Sequence, residues 1–143
     1  MKIAFRKIKS YTLVELMIVV VIISVIAGIA VPAYNNTLEN STARTARMTL
    51  KLVYYNEKMY RSNIGGYLAI DEGTGSTETA RWNDMRLDNP NIVNANSGYQ
   101  FSVIANGSSF TGKARRTKDG RIYEITPEGA ISNPDGQLPP ITY

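Results

Sequence analysis

The fold of this chain is decided by residues 11–31, which read YTLVELMIVVVIISVIAGIAV. From Leu13 to Val31 the run is almost wholly apolar, and a helix of this length rises roughly 28 Å, close to the thickness of a bilayer core. Glu15 is the one carboxylate in the run. Because a charged side chain within a membrane span costs about 2.5–3.5 kcal/mol, the sequence predicts that Glu15 pairs with a positive charge.

The amino-acid composition excludes several kinds of catalytic and metal-binding chemistry. The chain has 143 residues and contains neither cysteine nor histidine, which excludes disulfides, thiol nucleophiles and imidazole bases and removes the commonest zinc ligands. We find no Ser-Lys pair or carboxylate constellation typical of an active site. The scattered acids Asp71, Glu72, Asp84, Asp88 and Asp135 do not have the spacing of a calcium loop. We therefore expect no catalytic residues, no metal site and no cofactor.

The net charge of +4 is concentrated at the N terminus. Residues 1–10 hold no acid and four basic residues, which are Lys2, Arg6, Lys7 and Lys9. The remaining chain is neutral, with 12 basic and 12 acidic residues. Residues 1–10 are therefore predicted to be a basic leader peptide that stays in the cytoplasm, with the C-terminal body outside. Since an Ala-x-Ala-like site is not evident after the apolar run, we expect the span to remain in the mature protein.

Residues 11–32 are predicted to form a transmembrane helix. Ser24 and Gly28 are four residues apart on one helical face, a spacing that lets helix backbones approach closely. Pro32 cannot donate a hydrogen bond to the carbonyl of Gly28, so the helix is expected to be weakened or kinked over residues 28–32.

Residues 33–64 are predicted to be the amphipathic second half of the helix. Alternating steps of four and three residues define one stripe, formed by Tyr34, Leu38, Ser41, Thr45, Met48, Leu52, Tyr55 and Met59. We expect its apolar end, from Met48 to Met59, to pack on a domain. The opposite side is expected to be a basic flank that is either solvated, which is favoured, or turned toward a partner. It is formed by Arg44, Arg47, Lys51, Lys58 and Arg61.

Residues 65–98 are predicted to be a variable connecting loop. The loop begins with Gly65-Gly66, which is typical of a helix C-cap. We expect one short helix near residues 80–87, with Trp82 and Leu87 as anchors.

Residues 99–132 are predicted to be an antiparallel sheet of three or four strands. The apolar residues alternate with a period of two, and Asn106-Gly107 is a hairpin signal. Residues 133–143 contain three prolines and are expected to be an irregular tail. The fold class is α+β: a long N-terminal helix, transmembrane in its first half, packed on a small β-meander.

The segment from Ser10 to Val20 reads SYTLVELMIVV and resembles the class III signal sequence of type IV pilins and type II secretion pseudopilins. The resemblance continues through Pro32, where pilins commonly carry a helix-breaking proline, and becomes architectural beyond residue 66. It implies that a prepilin peptidase cuts between Ser10 and Tyr11 and methylates the new Tyr11 amine. Glu15 would then pair with that amine. The usual residue before the cut is glycine, and serine stands here.

The resemblance implies a structural role as a homo-oligomeric filament subunit, in which the transmembrane helix of residues 11–32 becomes the filament-core helix. An inner-membrane assembly platform would move the precursor from the bacterial inner membrane into an extracellular pilus, which serves adhesion, surface motility or DNA uptake. The alternative is a pseudopilin in a periplasmic filament that drives protein export. A membrane-tethered binding module is a second alternative, but such a module would not need Glu15.

A basic cluster at residues 113–118, KARRTK, has two interpretations. It could contact nucleic acid phosphates, or it could be a solvated strand edge that is protected from aggregation by its charge. The second interpretation is favoured, so direct binding to nucleic acid is not expected.

Overall fold

A computed structural model describes residues 11–134 of the chain. It contains the helices α1 (Leu13–Ile64), α2 (Ser76–Asp84) and α3 (Pro90–Val93) and a single 3-10 turn at Ala95–Ser97. Four strands follow, which are β1 (Tyr99–Ala105), β2 (Phe110–Arg116), β3 (Ile122–Ile125) and β4 (Ile131–Ser132). They form one antiparallel sheet in the order β1-β2-β3-β4. The predicted α+β fold is confirmed. The predicted leader, residues 1–10, and most of the predicted tail lie outside the described residues.

The chain divides into two compact units, with the boundary between Leu38 and Glu39. In the N-terminal unit the large apolar side chains of residues 13–31 are between 50% and 73% exposed. By length and composition α1 could cross a membrane. The helix continues through Pro32 without a break. The kink expected over residues 28–32 stays a prediction.

The core of the C-terminal unit forms where one face of α1 meets one face of the sheet. Buried residues alternate with partly exposed ones over most of each strand, as expected for a sheet with one covered face. The helix contributes the buried residues Ala43, Ala46, Leu50 and Val53. The sheet contributes Tyr99, Phe101, Val103, Phe110, Ala114, Tyr123 and Ile125.

The prediction that Met48 to Met59 pack on the domain is wrong. Met48 is 69% exposed, Tyr55 is 60% exposed and Met59 is 50% exposed. The domain instead packs on the opposite helix face, whose buried side chains are smaller and include Ala43, Ala46 and Val53. Gly112 of β2 lies against this face, since a Cβ added there would be 3.5 Å from Val53 Cγ1 and 3.6 Å from Leu50 Cδ2. The same Cβ would be 2.9 Å from Cγ2 of Ile125, the residue that pairs with Gly112 on β3.

The basic flank is also not fully solvated as predicted. Arg47 is only 9% exposed, and its guanidinium carbon lies 5.5 Å from the centroid of the Tyr123 ring. At this distance the cation is attracted to the ring face. Arg61 likewise lies 4.9 Å from the Tyr67 ring centroid and donates to the Tyr67 hydroxyl. Lys58 Nζ lies 5.5 Å from the Tyr54 ring centroid, so at least three of the five flank residues contact aromatic rings.

The connecting segment between α1 and β1 is more ordered than a variable loop. It contains α2 and α3, and α2 begins four residues earlier than the predicted helix. Trp82 is fully buried, as predicted for an anchor, and Leu87 packs at the edge of the core. Asn91 fixes the segment to β1: its Nδ2 donates to the Phe101 carbonyl at 3.0 Å, and its Oδ1 accepts from the Phe101 N–H at 2.6 Å.

Glu57 is a fully buried carboxyl group on the core face of α1. Its Oε2 accepts a hydrogen bond from the Leu68 N–H at 3.1 Å, whereas its Oε1 has no partner within residues 11–134. Burial raises the pKa of Glu57 to about 7, and the Leu68 N–H opposes this only in part. The neutral acid is therefore the form that fits the folded state.

The raised pKa of Glu57 predicts a pH dependence of stability. The folded state binds one more proton than the unfolded state between pH 4.5 and 7. Stability is therefore complete below pH 4.5 and falls as the pH rises through 7, by at most about 3 kcal/mol. Glu57→Gln keeps an oxygen for the Leu68 N–H but cannot ionise, so its stability should lack this fall. Urea unfolding of the detergent-solubilised full chain from pH 4.5 to 8 measures both proteins, and parallel curves would contradict the assignment.

The close packing of Gly112 on its β3 partner predicts that Gly112→Ala is destabilising by about 1–3 kcal/mol, since the new methyl group overpacks against Ile125. Gly66→Ala is the matched control, because its nearest neighbour would be 3.8 Å away and its effect should be small. Thermal unfolding monitored by circular dichroism compares the two variants with the parent chain. Equal melting temperatures for both variants would show that Gly112 and Ile125 are not packed as closely as described.

Candidate assembly site at the helix N terminus

Thr12 and Glu15 close the first turn of α1 with three hydrogen bonds. The Thr12 N–H donates to Glu15 Oε2 at 2.9 Å, and the Thr12 hydroxyl donates to the same oxygen at 3.1 Å. The Glu15 N–H lies 3.2 Å from the Thr12 hydroxyl oxygen, which can accept from it. This is a capping box, in which the residue before the helix and the third helical residue satisfy each other's free groups. It fixes the start of the helix at Leu13.

Sequence reasoning missed Thr12. It assigned to Glu15 only a future amine partner, although the pattern Thr-x-x-Glu before an apolar run is itself a helix-start signal. The carboxylate is also favoured here because the first turn of a helix carries a partial positive charge. Glu15 therefore has donors in the uncut chain, before any amine exists.

The cleavage site and the methylation site lie next to this cap. Tyr11 precedes the helix, and its side chain is 77% exposed. Ser10 lies outside the described residues. An amine created at Tyr11 would be one residue away from the Thr12 N–H that already binds Glu15. The described residues therefore bring together Tyr11, Thr12 and Glu15.

The other predicted assembly residues lie further along the same helix. Ser24 donates its hydroxyl hydrogen to the Val20 carbonyl at 2.7 Å, so this polar group is satisfied within the helix. A Cβ added at Gly28 would meet no atom within 4 Å. Pro32 lies inside α1. Ser24 and Gly28 thus offer a surface of small residues. Among the described residues, Glu15 is bound to Thr12 and Ser24 is bound to Val20.

The basic cluster at residues 113–118 is largely neutralised by ion pairs. Lys113 binds Glu124 at 2.9 Å, and Arg115 binds Glu72 through two guanidinium nitrogens. Arg116 binds both Glu39 and Asp119. These bonds lower the pKa values of Glu72 and Asp119, as expected for paired carboxylates.

The expected strand edge is wrong, because β2 lies between β1 and β3. The charges therefore tie β2 to its neighbours and to α1 rather than protecting an open edge. The pairing also leaves little free positive charge on the strand for a phosphate backbone to neutralise.

A comparison with known protein families finds a methylation signal in the segment that contains Tyr11, Thr12 and Glu15. Residues 5–31 match the family model described as "Prokaryotic N-terminal methylation motif". No solved structure matches the chain significantly. The motif implies processing by a prepilin peptidase and association with the membrane, and it points to a structural subunit rather than an enzyme. The motif is the class III prepilin-type signal sequence of type IV pilins and pseudopilins, and residues 5–31 of this chain carry it.

Proposed function

We propose that this protein is the structural subunit of a type IV pilus-like filament that is assembled from the inner membrane after leader cleavage. The observation that carries the proposal is the continuous exposed apolar surface of residues 13–31, which coincides with the methylation motif. Such a surface is stable only in lipid or against other apolar helices. The bilayer would cover it in the precursor, and neighbouring copies would cover it in the filament.

The chemistry of assembly would begin at the peptide bond between Ser10 and Tyr11. Hydrolysis of this bond gives Tyr11 a free amine, and N-methylation of the amine leaves it basic and protonated at neutral pH. The capping box already holds the Glu15 carboxylate on the Thr12 N–H, one residue from the amine. Glu15 would then pair with the amine of its own subunit or of a neighbour, which removes the cost of an uncompensated charge in an apolar core.

Helix packing would complete the filament core. Ser24 and Gly28 are small, and the space around Gly28 is open in the described chain. Residues of this kind let two helix backbones approach closely where no hydrophobic difference between lipid and protein drives association. Pro32 would allow the helix to bend where the apolar span ends.

An extended filament of this kind would serve adhesion, surface motility or DNA uptake outside the cell. The same subunit chemistry would also serve a periplasmic pseudopilus of a type II secretion system. Immunogold labelling of intact cells separates the two, since an extracellular pilus is labelled without permeabilisation and a periplasmic pseudopilus is not. We expect labelling of intact cells.

The processing step predicts a defined N terminus. Intact-mass and peptide mass spectrometry of the assembled protein should find a chain that begins at Tyr11 and is about 14 Da heavier than the unmethylated fragment, because one N-methyl group replaces a hydrogen. Serine is small like the usual glycine, so Ser10→Gly should preserve the cut. Ser10→Lys should accumulate the precursor. A chain that begins at Met1 in assembled filaments would contradict the processing step.

The charge in the span predicts a specific assembly defect. Glu15→Leu removes an expensive charge from the membrane, so membrane insertion should be at least as efficient as in the parent protein. Filament yield should nevertheless fall at least about tenfold, because the Tyr11 amine loses its partner. Val19→Leu is the control, since it changes only apolar shape in the same span.

Sheared filaments and membrane fractions are quantified by immunoblot for each variant. Normal filaments from Glu15→Leu would contradict the proposed function and would favour a membrane-tethered module.

A further inference from the structure

A cleft of about 140 Å³ lies between the last turns of α1 and the C-terminal end of α2. Its apolar wall includes Met59, Ile64 and Met85, of which Met85 is only 2% exposed. Asp84 and Arg86 line the same cleft, so an acid and a base stand beside this wall. Since a cavity of about 150 Å³ can hold a benzene-sized molecule, the cleft has room for a small ligand.

Arg86 adopts a backbone conformation that favours glycine. Its φ is 59°, and it is the only residue other than glycine with a positive φ within residues 11–134. The Arg86 N–H donates to the Asn83 carbonyl at 2.8 Å, and the Leu87 N–H donates to the Trp82 carbonyl at 3.0 Å. These two bonds form a Schellman motif, whose left-handed position is usually glycine. A side chain at this position costs stability because its Cβ crowds the following carbonyl oxygen.

Asp84 is also an unfavourable residue at its place in the chain. It is the last residue of α2, and the C-terminal end of a helix carries a partial negative charge that repels a carboxylate. Asp84 and Arg86 are both exposed, and neither makes an ion pair with a described residue. Local choices that lower stability without compensation are expected at functional sites. Two such choices here line one cleft.

The two charges and the apolar wall fit a small zwitterion with an apolar side chain. The Asp84 carboxylate would bind a ligand ammonium group, and the Arg86 guanidinium can donate two parallel hydrogen bonds to a ligand carboxylate. Asn63 also lines the cleft, and its side chain makes no hydrogen bond with a described residue, so its amide is available to the ligand. A free α-amino acid carries both charges at neutral pH.

We propose that this cleft binds a free α-amino acid with an aliphatic side chain. Its ammonium and carboxylate groups pair with Asp84 and Arg86, and its side chain packs against Met59, Ile64 and Met85. The site goes beyond the filament function and requires neither leader cleavage nor assembly, because every lining residue belongs to one copy of the chain.

Titration of the ¹⁵N-labelled full chain with L-leucine, in an uncharged detergent, tests the site by NMR. Saturable shifts should centre on the amides of residues 56–64 and 84–87, with a Kd of roughly 1 mM or below. The compound 4-methylpentanoate lacks the ammonium group, and 3-methylbutylamine lacks the carboxylate. Each should bind at least about tenfold more weakly than L-leucine, because one protein charge stays unpaired.

Charge-removing variants test the two residues one at a time. Asp84→Asn and Arg86→Gln should each weaken L-leucine binding at least about tenfold. Asp88→Asn is the matched control, since Asp88 is an exposed acid that lies outside the cleft lining. It should bind L-leucine as the parent chain does.

Arg86→Gly separates a ligand-binding role from a structural one. Glycine relieves the left-handed conformation, so the Tm should rise by roughly 2–6 °C, while L-leucine binding should be lost. A lower Tm would show that the Arg86 side chain serves the fold and would overturn the proposal. Unchanged L-leucine binding by this variant would also overturn it, as would equal affinity of the parent chain for the two singly charged compounds. Lack of saturable shifts in the parent chain at about 20 mM L-leucine would reject the site outright.

Discussion

The carboxylate of Glu15 needs hydrogen-bond donors, because it lies at the start of a helix whose next turns are apolar. This requirement organises the N-terminal half of the chain. The Thr12 N–H and hydroxyl meet it in the uncut chain. These bonds also define where the helix begins, so that Tyr11 stays outside it. A single interaction therefore places the cleavage and methylation residue beside the only acidic group of the span. On our account, the amine later joins a site that the capping box has already built.

The C-terminal half depends on the packing of one face of α1 on one face of the sheet. Leu50 and Val53 of α1 face Gly112 of β2, where an added Cβ would lie 3.6 and 3.5 Å from their side chains. The larger residues Met48, Tyr55 and Met59 are exposed. One helix thus has a face that folds the subunit and another whose large side chains are exposed. The ion pairs of Arg116 with Glu39 and Asp119 fasten α1 to the turn between β2 and β3.

The sequence was sufficient to predict the fold class and the strands, because both depend on local patterns. Alternation from Tyr99 onward and the turn at Asn106-Gly107 locate the hairpin directly. The covered face of α1 was mispredicted, since periodicity identifies faces but not which one meets the sheet. The large side chains of Met48 and Met59 favoured the wrong choice. The choice of the face that meets the sheet is a tertiary property that no helical pattern contains.

The candidate site was predictable in part for a similar reason. Glu15 and Tyr11 are conspicuous as a charge and an aromatic residue at the start of an apolar run. Thr12 was missed because a threonine beside such a run attracts no attention unless the capping pattern is sought.

The contacts of Asn91 with Phe101 join residues that are ten positions apart through side-chain geometry. Nothing in composition or spacing predicts such a pair.

The most direct test of the account is the structure of the assembled filament at a resolution that shows side chains. The decisive quantity is the distance from the Tyr11 amine nitrogen to the nearest Glu15 carboxylate oxygen, in the same or a neighbouring subunit. Our account predicts a distance within about 4 Å, the limit of an ion pair. A Glu15 that contacts only Thr12, with the Tyr11 amine paired elsewhere or still joined to Ser10, would contradict it.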